Sequence, residues 1–199
     1  MKQVLIETQL FKPSKGLLSE GKMSERGNPL VEGILATCEV ENGNGRYYSE
    51  DLWRREIDKY MDLVKDNRAT GELDHPESQV INLKNVSHNI KDINWDGKNI
   101  MGTIEILPTP SGNILKALID SGITVGVSSR GMGSLEQKGD LMEVQDDFEL
   151  LCWDFVSTPS NPGSFMALKE GKENNINQYA KANSIVTEIL CANGNCPIF

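Results

Sequence analysis

Apolar and polar positions alternate along most of this chain, and the alternation is broken twice by apolar residues at helical spacing. Residues 4–11 can pair as a strand. Residues 12–29, rich in Gly, Ser, Lys and Glu, read as an exposed arm. The first strong strand pattern is LVEGILATCEVE at 30–41, followed by a turn at Asn42-Gly43-Asn44-Gly45 and then Arg46, Tyr47 and Tyr48. Ser49 is placed as a helix N-cap, with Glu50 and Asp51 in the first turn where negative charge suits the helix dipole. Leu52, Trp53, Ile57, Tyr60, Met61 and Val64 then predict a helix ending near Asn67. A loop is expected over 71–79 and strand material over 81–95. Asp96-Gly97 makes a turn into a hairpin partner over 99–107.

The break at 108–112 precedes a predicted short helix over 113–121, with Ile114, Leu115, Leu118 and Ile119 on one side. An apolar run at 123–127 then ends at Ser128 and Ser129, and further strands are expected over 141–144 and 148–156. Strands outnumber helices, so the predicted class is α+β: a mostly antiparallel β-barrel or folded sheet with flanking helices. Three segments are expected: 1–29 as an N-terminal strand and flexible arm, 30–168 as the folded domain, and 169–199 as a weakly structured tail.

Composition narrows the function. The 199 residues carry a net charge of −9 with no cluster of Lys or Arg, which argues against nucleic acid or anionic membrane as the main partner. No run approaches the ~18 apolar residues of a membrane span, and the N-terminus lacks the pattern of a secretory signal. Cys38 and Cys152 sit in apolar runs as reduced core residues, whereas Cys191 and Cys196 lie in the tail without a second pair that would suggest zinc. Two histidines without H-x-x-x-H spacing give no metal site, and no cofactor is called for.

The chemistry centres on V-G-V-S-S-R-G-M-G-S-L at 125–135. A nucleophilic serine needs its hydroxyl exposed at the end of a rigid element, with following amides free to face a developing oxyanion; Gly131 and Gly133 permit that. The competing reading is a strand ending in a Gly/Ser turn. A serine also needs a base, most often histidine, and the chain has only His75, in G-E-L-D-H-P, and His88.

Four blocks together resemble the prohead core proteases of tailed phages, capsid-maturation enzymes related in fold to the herpesvirus assembly protease. They are VEGILATCEVENGNGRYY at 31–48, GELDHP at 71–76, VGVSSRGMGSL at 125–135 and WDFVSTPSNP at 153–162. The resemblance spans residues 30–166. It implies a serine endopeptidase with Ser128 as nucleophile and His75 as base, and Ser129 as the fallback nucleophile. The herpesvirus-type enzymes use a second histidine as the third triad member, on a strand after the serine; this chain offers Asp154 there instead. Two readings of Asp154 stand side by side. Either it partners His75, or it faces solvent while Trp153 and Phe155 face the core. His88 is the other candidate for the third role, although a half-buried strand histidine explains it as well. Glu72 and Asp74 read as solvated loop charges. The backbone amides of Arg130 and Gly131 are the expected oxyanion donors, and the Arg130 side chain reads equally as a salt-bridge partner.

The resemblance further implies cleavage after Glu, with an aliphatic residue two positions before it and a small residue after. Leu18-Ser19-Glu20-Gly21 and Leu168-Lys169-Glu170-Gly171 fit that pattern, with a weaker third match at Glu188. Self-processing at Glu20/Gly21 and Glu170/Gly171 would trim both ends. A cationic recess for the glutamate is expected from Arg46, Arg68, Lys84, Lys91 or Arg130. The implied partners are prohead scaffold and major capsid proteins as substrates, with homodimerisation open, and the implied location is the assembling prohead in the host cytoplasm. The rival readings are a non-enzymatic scaffold or core protein of the same assembly and an unrelated β-rich binding domain.

Overall fold

The computed structural model describes residues 2–10, 23–74, 76 and 78–157. The chain divides into two units, Met1–Ser164 and Phe165–Phe199, and every described residue belongs to the first. The expected tail, Cys191, Cys196, Glu170, Gly171 and Glu188 lie outside the described residues, as do Glu20 and Gly21.

Two antiparallel sheets form the body. In one, β1 (Gln3–Leu10) and β10 (Glu149–Val156) flank β7 (Gly126–Gly133). The other has the order β2 (Leu30–Thr37), β6 (Asn99–Ile106), β5 (Val86–Asp96), β4 (Thr70–Glu72). A parallel bridge between Leu73 and Phe155 joins the sheets, with the Asp74 N–H donating to the Phe155 carbonyl at 2.7 Å. A third, small sheet pairs β3 (Arg46–Tyr47) in parallel with β9 (Leu141–Val144), which also pairs β8 (Leu135–Lys138). β1 and β2 stand at the outer edges of their sheets and do not pair with each other among the described residues. Of the two forms expected from the sequence, the folded sheet is therefore found, and no barrel closes among the described residues.

Helix α1 (Glu50–Lys65) starts at Ser49, whose Oγ accepts from the Leu52 N–H at 3.2 Å. Its buried face carries Leu52, Trp53, Ile57, Tyr60 and Val64. Trp53 stacks on Trp153 at 6.1 Å, and Tyr60 meets the same indole edge-on at 4.9 Å. The hairpin of β5 and β6 turns at Gly97, whose φ of 58° is open to glycine without strain. Helix α2 (Pro110–Asp120) begins earlier than the apolar spacing suggests. Thr109 caps it, accepting from the Gly112 N–H at 3.0 Å, and Pro110 takes the first turn, where a missing N–H does no harm. Its buried residues include Leu115 and Ile119, whereas Ile114 is 55% exposed, so the expected apolar side is narrower than drawn.

Three further expectations change. Residues 80–84 are not a strand: Ser78 and Asn82 bond the amides of Val80 and Lys84, local turns that compete with a ladder. A short strand, β4, lies inside the expected loop of 71–79. There Gly71 lets β4 approach β10 and β5; a side chain at that position would collide with the Trp153 carbonyl and the His88 ring. Finally, β1 belongs to the same sheet as β7 along its whole length, with Leu5 in the core at 1% exposure.

His88 is fully buried in β5 and ties the two sheets. The Trp153 carbonyl can only accept, so Nε2 carries the proton and donates to it at 3.1 Å; Nδ1 then accepts from Ser87 Oγ at 2.8 Å. Burial holds this imidazole at about 4, below the ordinary 6.5. The unfolded chain binds a proton on His88 near the ordinary value and the folded chain does so only near 4. Stability from this group is therefore complete at neutral pH and is lost as pH falls through that window, by about 3 kcal/mol. In His88→Asn, the drop in unfolding free energy between about pH 7.5 and about pH 4 should shrink by roughly that amount in urea titrations. Leu5→Ala should cost about 2–4 kcal/mol of stability in the same assay, and Ile114→Ala less than about 0.5.

Candidate active site

Ser128 does not sit at a strand end. β7 continues through both serines to Gly133, because β1 and β10 pair with it on either side. The glycines after the serines have a packing cause. A Cβ at Gly131 would lie 2.4 Å from the Phe148 ring, and one at Gly133 would also press on Phe148. Neither has positive φ, so the freedom to turn that the sequence suggested is not what these positions use.

Strand register orders the site. Ser128 pairs with Thr8 on β1 and with Asp154 on β10, and Arg130 pairs with Ile6 and Cys152. Alternation puts Ser128, Arg130, Cys152 and Asp154 on one face, and Ser129, Trp153 and Phe155 on the other. Ser128 is fully buried rather than exposed as expected, because it lies within the central strand of its sheet with β1 and β10 on either side, and its Oγ makes no hydrogen bond among the described residues. Ser129 lines a separate cavity of about 220 Å³ with Glu7, Leu35, Tyr48 and Trp53.

Asp154 is 0% exposed, which overturns the solvent-facing reading. Both faces of β10 are covered, so alternation does not send the carboxylate outward. Its Oδ1 accepts from the Glu72 N–H at 3.0 Å and from Arg130 Nη2 at 3.2 Å, and its Oδ2 lies 3.0 Å from Arg130 Nε. Glu72 is equally buried, a correction to its reading as a solvated charge. Its Oε2 takes Arg130 Nη2 at 2.7 Å and its Oε1 takes the Asn82 N–H at 3.1 Å. Asp74 is exposed as expected and sits at φ 61°. Burial opposes the charge of Arg130, but Cys152, Asp154 and Glu72 more than offset it and hold the guanidinium above its ordinary value. Burial, then Asp154, pushes the Cys152 thiol far up, so it stays protonated.

The Arg130 and Gly131 amides lie beside an irregularity. The register of β10 against β7 shifts between Leu150 and Cys152, opposite these two residues, and the Leu150 N–H donates to Glu56 Oε2 of α1 at 3.0 Å. A bulge of this kind interrupts a ladder and is common beside active sites. Of the cations expected to form a glutamate recess, Arg46 is held by Glu7 at 2.7 Å and Arg130 by its two carboxylates, while Arg68 and Lys84 are exposed. Where β7 begins and β10 ends, Leu73, Leu118, Ile123, Val125 and Val156 line an apolar cleft of about 240 Å³ beside Asp74. No group of three His, Cys, Asp or Glu side chains is placed to hold a metal among the described residues.

His75 lies outside the described residues, so the structure brings together Ser128, Asp154, Arg130 and Gly131 of the predicted set. His88 has both ring nitrogens engaged by Ser87 and Trp153. The role of Glu72 was not apparent from the sequence. The available signal was Arg130 itself, two residues on from Ser128 in a strand and therefore on the same face, which requires buried acidic partners.

The family profile described as "Prohead core protein serine protease" matches residues 7–176. The chain is 32% identical over 145 residues to the prohead core protein protease of Enterobacteria phage T4, covering 70% of this chain and 68% of that one. The solved structure of the bacteriophage T4 capsid assembly protease superposes with a TM-score of 0.70 at 29% identity, covering 78% of this chain and 98% of the other. No helix among the described residues is long and apolar enough to cross a membrane. With the match running across both sheets and the strand of Ser128, this chain belongs to the prohead core protein serine proteases.

Proposed function

We propose that Ser128 is the nucleophile of this prohead protease, His75 its general base and Asp154 the group that orients and stabilises the imidazolium. The observation that carries the reading is the direct pairing of Ser128 with Asp154 across β7 and β10, with a fully buried serine hydroxyl that makes no hydrogen bond among the described residues. A buried polar group without a partner calls for an explanation, and a reacting role supplies one. Ser129 faces away from Asp154, which favours Ser128 over it. In acylation, Ser128 Oγ bonds to the scissile carbonyl carbon while its proton passes to His75. The same proton then goes to the leaving amine as the peptide bond breaks. Water reverses the sequence on the acyl-enzyme. The amides of Arg130 and Gly131, beside the bulge, are the oxyanion donors in this reading. The rival reading as a non-enzymatic core protein gives way to a family whose described members are serine proteases.

The substrates we assign are prohead scaffold and capsid proteins, cut after Glu within the assembling head in the host cytoplasm, by an enzyme of herpesvirus-protease-like fold that could act as a homodimer. The same specificity directs self-processing at Glu20/Gly21 and Glu170/Gly171, on either side of the expected domain 30–168. β1 then needs a different account from a discarded end. A cut at Glu20 leaves it paired to β7, with Leu5 still in the core.

The test is the denaturing intact mass of the purified chain over time. Wild type should lose residues 171–199 and release a 1–20 peptide, while Ser128→Ala and His75→Ala stay whole, with cleavage reduced by more than about 10⁴-fold. Ser129→Ala should cut normally. Equal cutting by wild type and Ser128→Ala would sink the assignment. A chain that never cuts itself, yet cleaves an added Leu-Lys-Glu-Gly peptide in a Ser128-dependent way, would remove self-processing alone.

A further inference from the structure

Two residues beyond Ser128, on the same face of β7, the Arg130 guanidinium reaches three separate parts of the chain. Nη1 donates to the Ser78 carbonyl at 2.7 Å, Nη2 to Glu72 Oε2 at 2.7 Å, and Nε and Nη2 meet the two oxygens of Asp154 at 3.0 and 3.2 Å. Glu72 and Ser78 lie three residues before and three residues after position 75. One rigid side chain thus grips both limbs of the segment that carries His75, and it does so from the strand that carries Ser128. Glu72 tightens the grip, since its Oε1 holds the Asn82 N–H and its own N–H is bonded to Asp154.

We propose that the Arg130 side chain is a positioning residue, with Glu72 as its partner, that holds Asp154 and the two limbs flanking His75 to the strand of Ser128. The inference rests on the roles given above to those three residues, and adds what holds them. A guanidinium is suited to the task because its donors form a planar fork with fixed angles, whereas a lysine offers donors around a single point. Stability alone is a poor reason for the cluster, because buried ion pairs gain little over well-packed apolar residues.

The cluster also has a charge suited to catalysis. Two carboxylates and one guanidinium carry a formal charge of −1, which complements one imidazolium. The other titratable groups near the cluster, among the described residues, are neutral near pH 7. Cys152 on β10 keeps its proton, burial first and then Cys152 and Asp154 push the Tyr60 hydroxyl of α1 well up, and His88 of β5 stays unprotonated. Replacing Glu72 by Gln removes one negative charge without removing the fork.

The experiment combines steady-state kinetics on a Leu-Lys-Glu-Gly peptide with NMR titration of the His75 imidazole, which His88 does not obscure because it titrates only near 4. Arg130→Lys keeps the charge and should lower kcat by about 10–100-fold, with KM within about threefold and the acidic limb of the pH profile in place. Glu72→Gln should move both the acidic limb and the His75 titration to lower pH, by about one unit. The titration is repeated in the Ser128→Ala background, where no turnover is needed. Wild-type kcat in Arg130→Lys, or an unmoved His75 titration in Glu72→Gln, overturns the proposal. Should Arg130→Lys fail to fold, the Glu72→Gln titration decides alone. Should Ser128→Ala still cleave, the nucleophile assignment fails, and the titration still judges the clamp.

Discussion

A guanidinium enclosed by protein on every side must be paired, and that requirement governs the centre of this molecule. Arg130 is 1% exposed, and its partners come from β4, β10 and the turn segment after β4. Three stretches far apart in sequence, residues 72–78, β7 and β10, are therefore held at fixed separations by one side chain. The sheet junction depends on the same place, since the Leu73–Phe155 bridge lies immediately beyond Glu72 and Asp154 in their respective strands. Removing one partner of such a cluster leaves a buried charge unpaired, which is far more damaging than losing a surface pair.

Behind the cluster stands an aromatic wall. Trp153 and Phe155 point away from Asp154 and pack on Trp53, Tyr60 and His88. Tyr48, Trp53 and Phe148 form a mutual contact at 5.4–5.8 Å that continues the wall toward β7. Phe148 presses into the space left by Gly131 and Gly133, so the small residues after the serines are part of how helix and strand fit. Packing of this density moves as a unit, which gives the polar face of β7 and β10 a stiff support.

Local signals were legible where they were strong. The Ser49 cap with apolar residues at helical spacing marked α1, and Asp96-Gly97 marked the hairpin of β5 and β6. The serine strand was harder, because Ser-Ser-Arg-Gly reads as a turn when its neighbours are unknown. Its extension to Gly133 comes from β1 and β10, which no local pattern reveals. The orientation of Asp154 was undecidable for a physical reason: alternation tells inside from outside only when one face is wet, and β10 is buried on both. The burial of Glu72 and His88 likewise depends on partners that lie far along the chain. Ser128 and Asp154, by contrast, were singled out from blocks of sequence, and the register places them side by side.

The first strand has a meaning beyond its place in the sheet. It contributes Leu5 to the core, and its Glu7 carboxylate gathers Asn42, Asn44, Arg46 and Tyr48 at 2.6–2.8 Å, organising the turn before α1. All of these contacts are non-covalent, and the chain reaches the next described residue, Met23, only after residues 11–22. A break anywhere in that connection would yield a two-chain protein whose shorter piece completes the sheet of the longer one. In such a pair, backbone pairing to β7, the Leu5 side chain and the Glu7 cluster would alone hold the shorter piece against the strand that bears Ser128.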